Sequence, residues 1–422
     1  MSIAIRRRLG QRYAFVVVGV VFLCLMVAAG LRGTPSVLIL PLERAFRWSR
    51  DVISLAAAVG IFLYGLVGPF AAALMETVGV KRTLLGALAL MSAATAASTL
   101  MSEPWHLVLT WGVLTGLGSG CVALVLGATI VNRWFVANRG FVMGLLTASA
   151  ATGTLVFLPG LAALAEAGGW RPVVWAVALA CAGLTVPVLL LLPERPADIG
   201  LLPYGARPGA APPPARRTGL LAAAFGSLAV AVRTRTFWLL FATFYVCGFT
   251  TNGLVGTHLI ALCGDAGIPE VRASGLLALM GLFDLVGTTL SGWLTDRYDP
   301  RKLLFMYYGL RGLSLVYLPY SDFSLHSLTI FAVFYGLDWI ATVPPTVRLI
   351  GEAFGERHAA VLFGWIAAGH QLGAASASYF AGFMRTVQGN YLEAFVIAGA
   401  TGVAAAILSL LIRRPAPQPL AA

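Results

Sequence analysis

The stretch SGWLTDRYDPRK (Ser291–Lys302) concentrates acidic and basic residues inside a chain that is otherwise apolar. A weaker copy, AALMETVGVKRT, occupies Ala72–Thr83. At an offset of 220 residues the charged positions coincide: Asp296 with Glu76, Arg301 with Lys81 and Lys302 with Arg82. A repeat over this distance predicts that the chain consists of two related halves.

The composition around these two stretches is that of a membrane protein. Hydrophobic residues make up 59% of the 422 residues and charged residues only 11%, whereas a soluble domain carries about 25% charged residues. The mean hydropathy is +0.86. Because apolar runs of about twenty residues recur from end to end, we predict an integral, multi-pass membrane protein. The scattered cysteines indicate neither a disulfide framework nor a metal site.

Twelve apolar segments are long enough to cross the bilayer, and all should be helices because lipid cannot hydrogen-bond an open backbone. We place them at 13–41, 51–74, 83–101, 106–131, 140–165, 170–192, 236–262, 273–295, 303–320, 325–347, 358–384 and 391–412.

The longest connection contains RPGAAPPPARRTG, whose proline, alanine and glycine content is typical of a linker. It divides the spans into two sets of six. The predicted domains are an N-terminal six-helix bundle at 1–192, a cytoplasmic linker at 193–235, a C-terminal six-helix bundle at 236–414 and a tail at 415–422.

Lysine and arginine residues set the predicted orientation. They concentrate in every second loop, on the side that also carries Arg6–Arg8 and Arg413–Arg414, and few lie in the intervening loops. The positive-inside rule then places both termini and the linker in the cytoplasm of, we expect, a bacterial inner (plasma) membrane. The net charge of +12 follows from this topology. Basic residues spread in this way, without interleaved aromatic residues, do not predict nucleic-acid binding.

The repeated loop resembles a family signature. The residues GWLTDR at 292–297, followed by RK at 301–302, are similar to the pattern G-x-L-x-D-R-x-G-x-R-R between the second and third helices of each half in the major facilitator superfamily. The first copy departs from it, with Ala72, Glu76 and Thr77, but keeps Gly79. The resemblance covers about residues 12–414. It implies an all-α fold of twelve transmembrane helices in two pseudo-symmetric bundles, and transport by alternating access.

The same resemblance implies a gating motif in the two loops. In the superfamily the loop acid contacts basic residues and a helix N-terminus in one state and separates from them in the other. A charge-assisted contact of this kind biases an equilibrium between two conformations. The alternative is that these charges only anchor the topology. The residues concerned are Glu76, Lys81, Arg82, Asp296, Arg297 and Arg301.

Two further stretches resemble monocarboxylate-transporter-like proteins, including the bacterial oxalate–formate antiporter-like group. Gly30–Ser54 is similar to their first helix and Asn132–Gly153 to their fifth. This resemblance implies small organic anions as substrates, often moved with a proton. That group typically has an aspartate in the eighth helix and an arginine four residues later. This chain has Asp284 but carries Thr288 at the arginine position.

Ionisable residues inside membrane spans are costly and usually face the protein interior or a water-filled path. Arg32 is the only cation well inside the spans of the first half, and a guanidinium binds a carboxylate through two hydrogen bonds. We predict that Arg32 contacts a substrate anion and that Tyr64 of the second span also lines the site. The alternatives for Arg32 are an internal ion pair or snorkelling towards the surface.

Three residues of the second half are predicted to take part in proton coupling: Asp284, Asp338 and His258. A buried carboxylate can hold a proton near neutral pH. The alternatives are a hydrogen-bonded structural carboxylate for Asp284 and an ion pair with Arg311 for Asp338. For His258 we also consider a gate at the outer end of the seventh span. The pair Pro344–Pro345 should bend or break the helix after Asp338.

Further polar residues of the second half are predicted to contact the substrate. His370 and Gln371 lie together in the eleventh span, and Asn252 lies in the middle of the seventh. Histidine titrates in the physiological range, but His370 is equally compatible with an ordinary hydrogen-bonded interior residue.

These features predict a secondary active transporter that acts as a proton-coupled symporter of a small monocarboxylate-like anion. The alternatives are an organic-anion exchanger or an exporter of amphipathic compounds and, more remotely, a non-transporting membrane sensor. No nucleophile, metal or phosphate-loop motif predicts an enzyme, a metal site or a cofactor. We expect a monomer in the lipid bilayer, because two six-helix halves can enclose a complete pathway.

Overall fold

The computed structural model describes residues 10–206 and 220–413. Outside them lie several arginines that contributed to the predicted orientation (positions 6–8, 207, 216, 217 and 414), part of the predicted linker, and the predicted tail at 415–422. The regular structure of the described residues is helical, apart from one isolated bridge between Phe135 and Tyr204.

Twelve long helical segments follow one another in the described residues and are numbered here in chain order. Their bounds are α1 Tyr13–Phe46, α2 Arg50–Thr77, α3 Val80–Ala97, α4 Pro104–Trp134, α5 Arg139–Gly168, α6 Trp170–Leu191, α7 Arg235–Asp265, α8 Glu270–Thr295, α9 Pro300–Tyr317, α10 Leu325–Phe354, α11 Glu356–Gln388 and α12 Leu392–Leu410. A short linker helix, Leu220–Ala231, precedes α7.

Each predicted span coincides with one of these segments, so the predicted all-helical membrane fold is confirmed. Ten of the segments are long and apolar enough to cross a membrane. The other two are α9 and α11. In α9 the charged side chains of Arg301, Lys302 and Arg311 fall within 18 residues, and α11 mixes small residues with polar ones. Both helices therefore have less apolar surface to offer to lipid.

Three of the long segments are not regular α-helices throughout. Val108–Leu114 in α4 and Phe249–Val255 in α7 are π-helical, a form that is frequent at functional sites. In α10 the α-helix ends at Asp338 and resumes at Val343, with turns between. The predicted break is confirmed. Pro344 and Pro345 lie just inside the second piece, where a missing N–H and a fixed backbone angle are tolerated.

The chain forms two compact units. Unit 1 comprises Met1–Trp48 and Val59–Arg217, and unit 2 comprises Ser49–Ala58 and Thr218–Ala422. The first residues of α2 thus pack with unit 2 although the rest of that helix belongs to unit 1. The bundle limits given above remain a proposal.

Glycines allow the helices of unit 2 to cross at very short distance. A Cβ on Gly312 of α9 would lie 2.6 Å from the carbonyl oxygen of Gly399 on α12, and a Cβ on Gly399 would lie 2.6 Å from the carbonyl oxygen of Gly312. Real Cβ atoms do not come this close to backbone, so both positions require glycine. Close approach of this kind is how membrane helices gain packing energy, because lipid supplies no hydrophobic driving force between them.

Replacing Gly312 by alanine should therefore separate α9 from α12. We expect a loss of about 1–3 kcal/mol in the free energy of unfolding, the usual effect of overpacking, visible as a lower Tm of the detergent-purified protein. Gly309 on the same helix is the matched control, because its Cβ would meet only Ala406 at 3.8 Å. Equal Tm values for Gly312→Ala and Gly309→Ala would contradict this account.

Candidate functional site

Arg32 lies on α1 where the helical hydrogen bonding is interrupted. Pro35 has no N–H, so the carbonyl of Leu31 loses its partner four residues along the helix. The Arg32 guanidinium lies over the ring of Tyr64 on α2, 4.4 Å from the ring centroid, which is close enough for cation–π attraction. Two of the residues predicted to bind substrate are therefore in contact.

The guanidinium of Arg32 has no anionic partner in the described part of the chain. No carboxylate of residues 10–206 or 220–413 lies within 4.0 Å of its nitrogens, and none of its N–H groups donates a hydrogen bond to these residues. The side chain is half-buried. The internal ion pair considered above is thus not formed among the described residues, and up to five N–H donors remain available to a ligand.

The backbone under Tyr64 is fixed by a close contact between α2 and α4. A Cβ on Gly60 would lie 3.0 Å from the carbonyl oxygen of Trp111, and one on Gly120 would lie 3.2 Å from the carbonyl oxygen of Tyr64. Trp111 belongs to the π-helical turn of α4. These contacts leave the helix carrying Tyr64 little freedom to shift relative to α4.

In unit 2, α7 and α11 make a similar backbone-to-backbone contact. A Cβ on Gly248 would overlap the carbonyl of His370, and a Cβ on Gly373 would overlap the carbonyl of Tyr245. The predicted substrate residues of α7 and α11 are consequently held at a fixed spacing by main chain rather than by flexible side chains.

Asn252, His370 and Gln371 are all half-buried. The backbone carbonyl of Asn252 accepts a hydrogen bond from the Thr257 hydroxyl at 2.9 Å. The centroid of the His370 ring lies 5.1 Å from that of the Phe244 ring. The side-chain amides of Asn252 and Gln371 form no hydrogen bond with other residues that the structure describes. Both amides therefore keep their donors and acceptors for a ligand or for water.

Asp284 of α8 is buried and hydrogen-bonded to neutral groups. Its Oδ1 accepts from the Thr288 hydroxyl at 2.9 Å and from the backbone N–H of Ile340 at 3.0 Å. Ile340 lies in the break of α10, where the N–H has lost its helical partner. No arginine or lysine of the described residues lies within 4.0 Å of the Asp284 carboxylate. Thr288, which replaces the arginine of the resembled group, thus supplies a hydroxyl in place of a charge.

Asp338 and Arg311 form a buried ion pair, the alternative considered above for Asp338. The Arg311 Nε donates to Asp338 Oδ2 at 2.6 Å, and Nη1 donates to the Cys247 sulfur at 3.0 Å. The Nη2 of Arg311 donates to the backbone carbonyls of Asp338 and Trp339 at the break of α10. Asp338 Oδ1 is buried without a hydrogen-bond partner in the described residues.

His258 is fully buried on α7, and both ring nitrogens are engaged. Nδ1 lies 3.1 Å from the Tyr391 hydroxyl and Nε2 lies 2.8 Å from the carbonyl oxygen of Ser378. Since a carbonyl can only accept, Nε2 carries a hydrogen. The predicted proton-coupling role of His258 remains a prediction.

In the loop between α8 and α9, the signature acid Asp296 faces an arginine of α10, and the gating role of the loop remains a prediction. Arg348, near the end of α10, lies 3.6 Å from the Asp296 carboxylate and donates to the Thr295 carbonyl at 2.8 Å. Arg301 pairs with Asp299 at 2.7 Å, and Asp299 also caps the start of α9. The Arg297 guanidinium lies over the Trp293 ring, 4.0 Å from the ring centroid.

The loop between α2 and α3 uses a different acid. Glu194, after α6, accepts hydrogen bonds from the backbone N–H groups of Val80 and Lys81 at 2.7 and 2.9 Å. Arg133 at the end of α4 lies 3.7 Å from the same carboxylate. Glu76 and Arg82 are exposed, and their side chains form no ion pair within 4.0 Å with any described residue.

Sequence reasoning missed Glu194, Arg133 and Arg348. The two arginines could have been found, because they occupy corresponding places at the ends of the fourth and tenth spans. Glu194 could not, because it is distant in sequence from the helix start that it caps and belongs to no repeated pattern.

Two units of long apolar helices, charged loops between them, and a half-buried guanidinium with no carboxylate partner among the described residues are the features expected of a membrane transporter with two repeats. The sequence profile of the Major Facilitator Superfamily matches residues 21–347 and 264–422. The chain belongs to this superfamily and is a secondary transporter of small molecules rather than an enzyme.

Several known proteins are similar to the chain. An uncharacterized MFS-type transporter of Bacillus subtilis, YcxA, is 24% identical over 361 residues, covering 84% of each protein. Monocarboxylate transporter 13 of Rattus norvegicus is 28% identical over 367 residues, covering 84% of this chain and 78% of the relative. A bacterial homologue of the human lysosomal transporter Spinster, solved in an inward-facing and occupied conformation, has the same fold, with a TM-score of 0.74 over 96% of this chain and 99% of that one at 16% identity.

Substitutions of Glu194 and Glu76, the two acids near the loop between α2 and α3, should differ in their effect on stability. Glu194→Ala removes the acceptor of two N–H groups at the start of α3, so we expect a loss of about 0.5–2 kcal/mol, as for other lost helix caps, measured as a lower Tm. Glu76→Ala is the matched control and should leave Tm unchanged, since Glu76 is exposed and forms no ion pair among the described residues. A larger effect at Glu76 than at Glu194 would contradict the assignment.

Proposed function

We propose that this protein carries a small monocarboxylate-like anion across the membrane together with a proton, by alternating access. Arg32 binds the carboxylate beside Tyr64 in unit 1, and Asn252, His370 and Gln371 of unit 2 are proposed as further contacts of the substrate. Asp284 carries the proton. In this proposal the termini face the cytoplasm of the bacterial inner membrane, and the monomer is the working unit.

The observation that carries the proposal is that the Arg32 guanidinium has no anionic partner among residues 10–206 and 220–413. A charge in apolar surroundings has a large desolvation cost unless it is paired. Tyr64 provides a π face but no negative charge, so it offsets only part of that cost. A substrate carboxylate would supply the missing charge and could accept two parallel hydrogen bonds from the planar guanidinium.

The similarity to proteins named monocarboxylate transporters supports the same substrate class. It does not extend to every residue, because the position of their eighth-helix arginine is Thr288 here. Arg32 and Arg311 are the two arginines predicted to lie well inside the spans. Of these, Arg32 is the one still able to bind an anion, because Arg311 donates to Asp338, Cys247 and two carbonyls.

The choice of Asp284 over Asp338 as the proton carrier rests on their partners. Asp338 faces a guanidinium at 2.6 Å, which favours its charged form. Asp284 is buried and hydrogen-bonded only to a hydroxyl and an N–H, so no described cation in direct contact opposes its protonation.

An organic-anion exchanger is the second candidate. It is favoured by Thr288, because the hydroxyl already satisfies Asp284 and would let the carboxylate serve as a structural acceptor for the broken helix α10. Export of amphipathic compounds is a third candidate and, more remotely, a membrane sensor without transport is a fourth.

The proposal predicts anion-dependent proton entry into proteoliposomes that contain a pH-sensitive dye. Lactate, pyruvate, formate, oxalate and longer or aromatic acids are added singly, and one of them should acidify the interior faster than it does in empty liposomes, which correct for passive entry of undissociated acid. Arg32→Ala should abolish the excess. Arg32→Lys should lower it by about tenfold or more, because a hydrogen bond between charged groups contributes about 1.5–3 kcal/mol.

Arg171→Lys is the matched control for Arg32→Lys. Its guanidinium also lies over an aromatic ring, 4.8 Å from the centroid of Trp170, but it is exposed, so transport should be unchanged. Full activity in Arg32→Ala would overturn the substrate site. Counterflow of labelled acid without any dye response would favour the exchanger.

The two buried acids should give opposite phenotypes. Asp284→Asn keeps an oxygen for Thr288 and Ile340, so the protein should fold normally, lose acid-driven proton entry and retain counterflow. Asp338→Asn leaves Arg311 without a countercharge, and we expect a loss of about 3–5 kcal/mol in stability, measured as a lower Tm. Unchanged proton entry in Asp284→Asn would remove Asp284 from the coupling mechanism.

A further inference from the structure

The start of α2 carries an ion pair between buried Arg50 and exposed Asp265 that the proposed transport site does not use. The Arg50 guanidinium donates from Nη2 to Asp265 Oδ1 at 2.6 Å and from Nη1 to Asp265 Oδ2 at 2.9 Å. Arg50 is 5% exposed. Such a two-point contact between charged groups is among the stronger side-chain interactions. It lies at the end of α2 opposite to the loop that contains Glu76.

Asp265 and Tyr391, which accept hydrogen bonds from Arg50, also contact other residues. Asp265 Oδ2 also accepts from Arg385 Nε at 2.7 Å. The Tyr391 hydroxyl accepts from Arg50 Nη1 at 3.2 Å and lies 3.1 Å from His258 Nδ1. Because Nε2 of His258 carries a hydrogen, the neutral ring accepts at Nδ1, and the Tyr391 hydroxyl can donate to it. A continuous chain of hydrogen bonds therefore leads from Asp265 through Arg50 and Tyr391 to His258.

The backbone around Arg50 is packed equally closely. A Cβ on Gly382 of α11 would overlap the Ser54 hydroxyl and lie 2.8 Å from the Arg50 carbonyl oxygen. Ser54 is 0% exposed, and its hydroxyl has no hydrogen-bond partner among the described residues. The Thr386 hydroxyl donates to Asp51 Oδ1 at 3.0 Å. These contacts join the first turns of α2 to α11 within unit 2.

We infer that Arg50 is the releasable element of a latch, formed with Asp265, Tyr391 and His258, that holds residues 49–58 on unit 2 and opens during the transport cycle. This inference rests on alternating access but not on the identity of substrate or coupling ion. It gives His258 a gating role through Tyr391.

Two observations carry the inference. First, α2 is one continuous helix from Arg50 to Thr77, yet residues 49–58 pack with unit 2 and Val59 onwards with unit 1. A movement of one unit relative to the other must therefore bend α2 or release its first turns. Second, release leaves each of the two acceptors described above with a partner: Asp265 keeps Arg385, and Tyr391 keeps His258. Arg50, at the helix end, can pass into water.

The latch can be tested with a cysteine at position 54, directly beneath it. In Ser54→Cys protein in proteoliposomes, the rate at which a membrane-impermeant maleimide modifies the introduced thiol reports how often the first turns of α2 leave unit 2. Arg50→Gln and Asp265→Asn should each raise this rate by about tenfold, which corresponds to about 1.4 kcal/mol. Arg385→Gln is the matched control and should change it by less than about twofold, because the pair of Arg50 with Asp265 remains.

A second pair of variants tests the same contact without touching a charge. Gly382→Ala introduces a Cβ where the Ser54 side chain and the Arg50 carbonyl lie, so it should also raise the labelling of the thiol at position 54. Gly364→Ala, on the same helix, meets nothing within 4 Å and should leave the rate unchanged.

Labelling at position 54 that stays at the parent rate in both Arg50→Gln and Gly382→Ala would overturn the latch. So would equal increases in Arg50→Gln and Arg385→Gln. The buried native Cys181 of unit 1 serves as an internal standard, and a parallel rise at Cys181 would indicate general loosening and count against the latch. Because labelling needs neither substrate nor proton movement, failure of the proposed transport activity would not affect this result.

Discussion

The cost of placing charge among apolar helices is the constraint on which the interior of this protein depends. Arg311 shows how the constraint is met: a carboxylate, a thiol and two carbonyls surround its guanidinium, so no charge remains uncompensated. Arg32 shows the opposite case, since in the described part of the chain the ring of Tyr64 faces it and no carboxylate does. The difference between two arginines of the same chemistry separates a structural residue from a candidate binding residue.

Close backbone contact is what places the polar groups so reproducibly. The crossings at Gly248 and Gly373 join α7 to α11, and those at Gly60 and Gly120 join α2 to α4. Side chains on helices that touch main chain to main chain cannot be repositioned without shifting a whole helix. Movements during transport should therefore occur where contacts are made by side-chain charges, as at Arg50, and less where glycines meet.

Local sequence patterns were sufficient for the fold and for part of the site. Apolar runs located the helical segments, the proline pair located the break in α10, and opposite charges in neighbouring spans suggested the pair of Arg311 and Asp338. Contacts between residues far apart in sequence were beyond such patterns. The repeated loop pointed to Glu76, whereas the structure uses Glu194 to cap α3, and nothing local connects Arg50 to Asp265, 215 residues away. These partners are chosen by tertiary packing alone.

The charges of Arg32 and Asp284, which have no ion-pair partner among the described residues, give a reason for an anion and a proton to be transported together. When every group is ionised, the proposed site of unit 1 has one positive charge without an ion-pair partner among the described residues, on Arg32. Among the residues of unit 2 proposed to bind substrate or protons, Asp284 likewise carries a negative charge without an ion-pair partner in the described residues. A carboxylate bound at Arg32 neutralises the first, and a proton on Asp284 neutralises the second. Either ligand alone would leave one buried charge uncompensated during a conformational change, and this is costly in apolar surroundings. In the proposed mechanism, loading both removes that cost at each site, so the doubly loaded protein would be the form in which the change is least opposed.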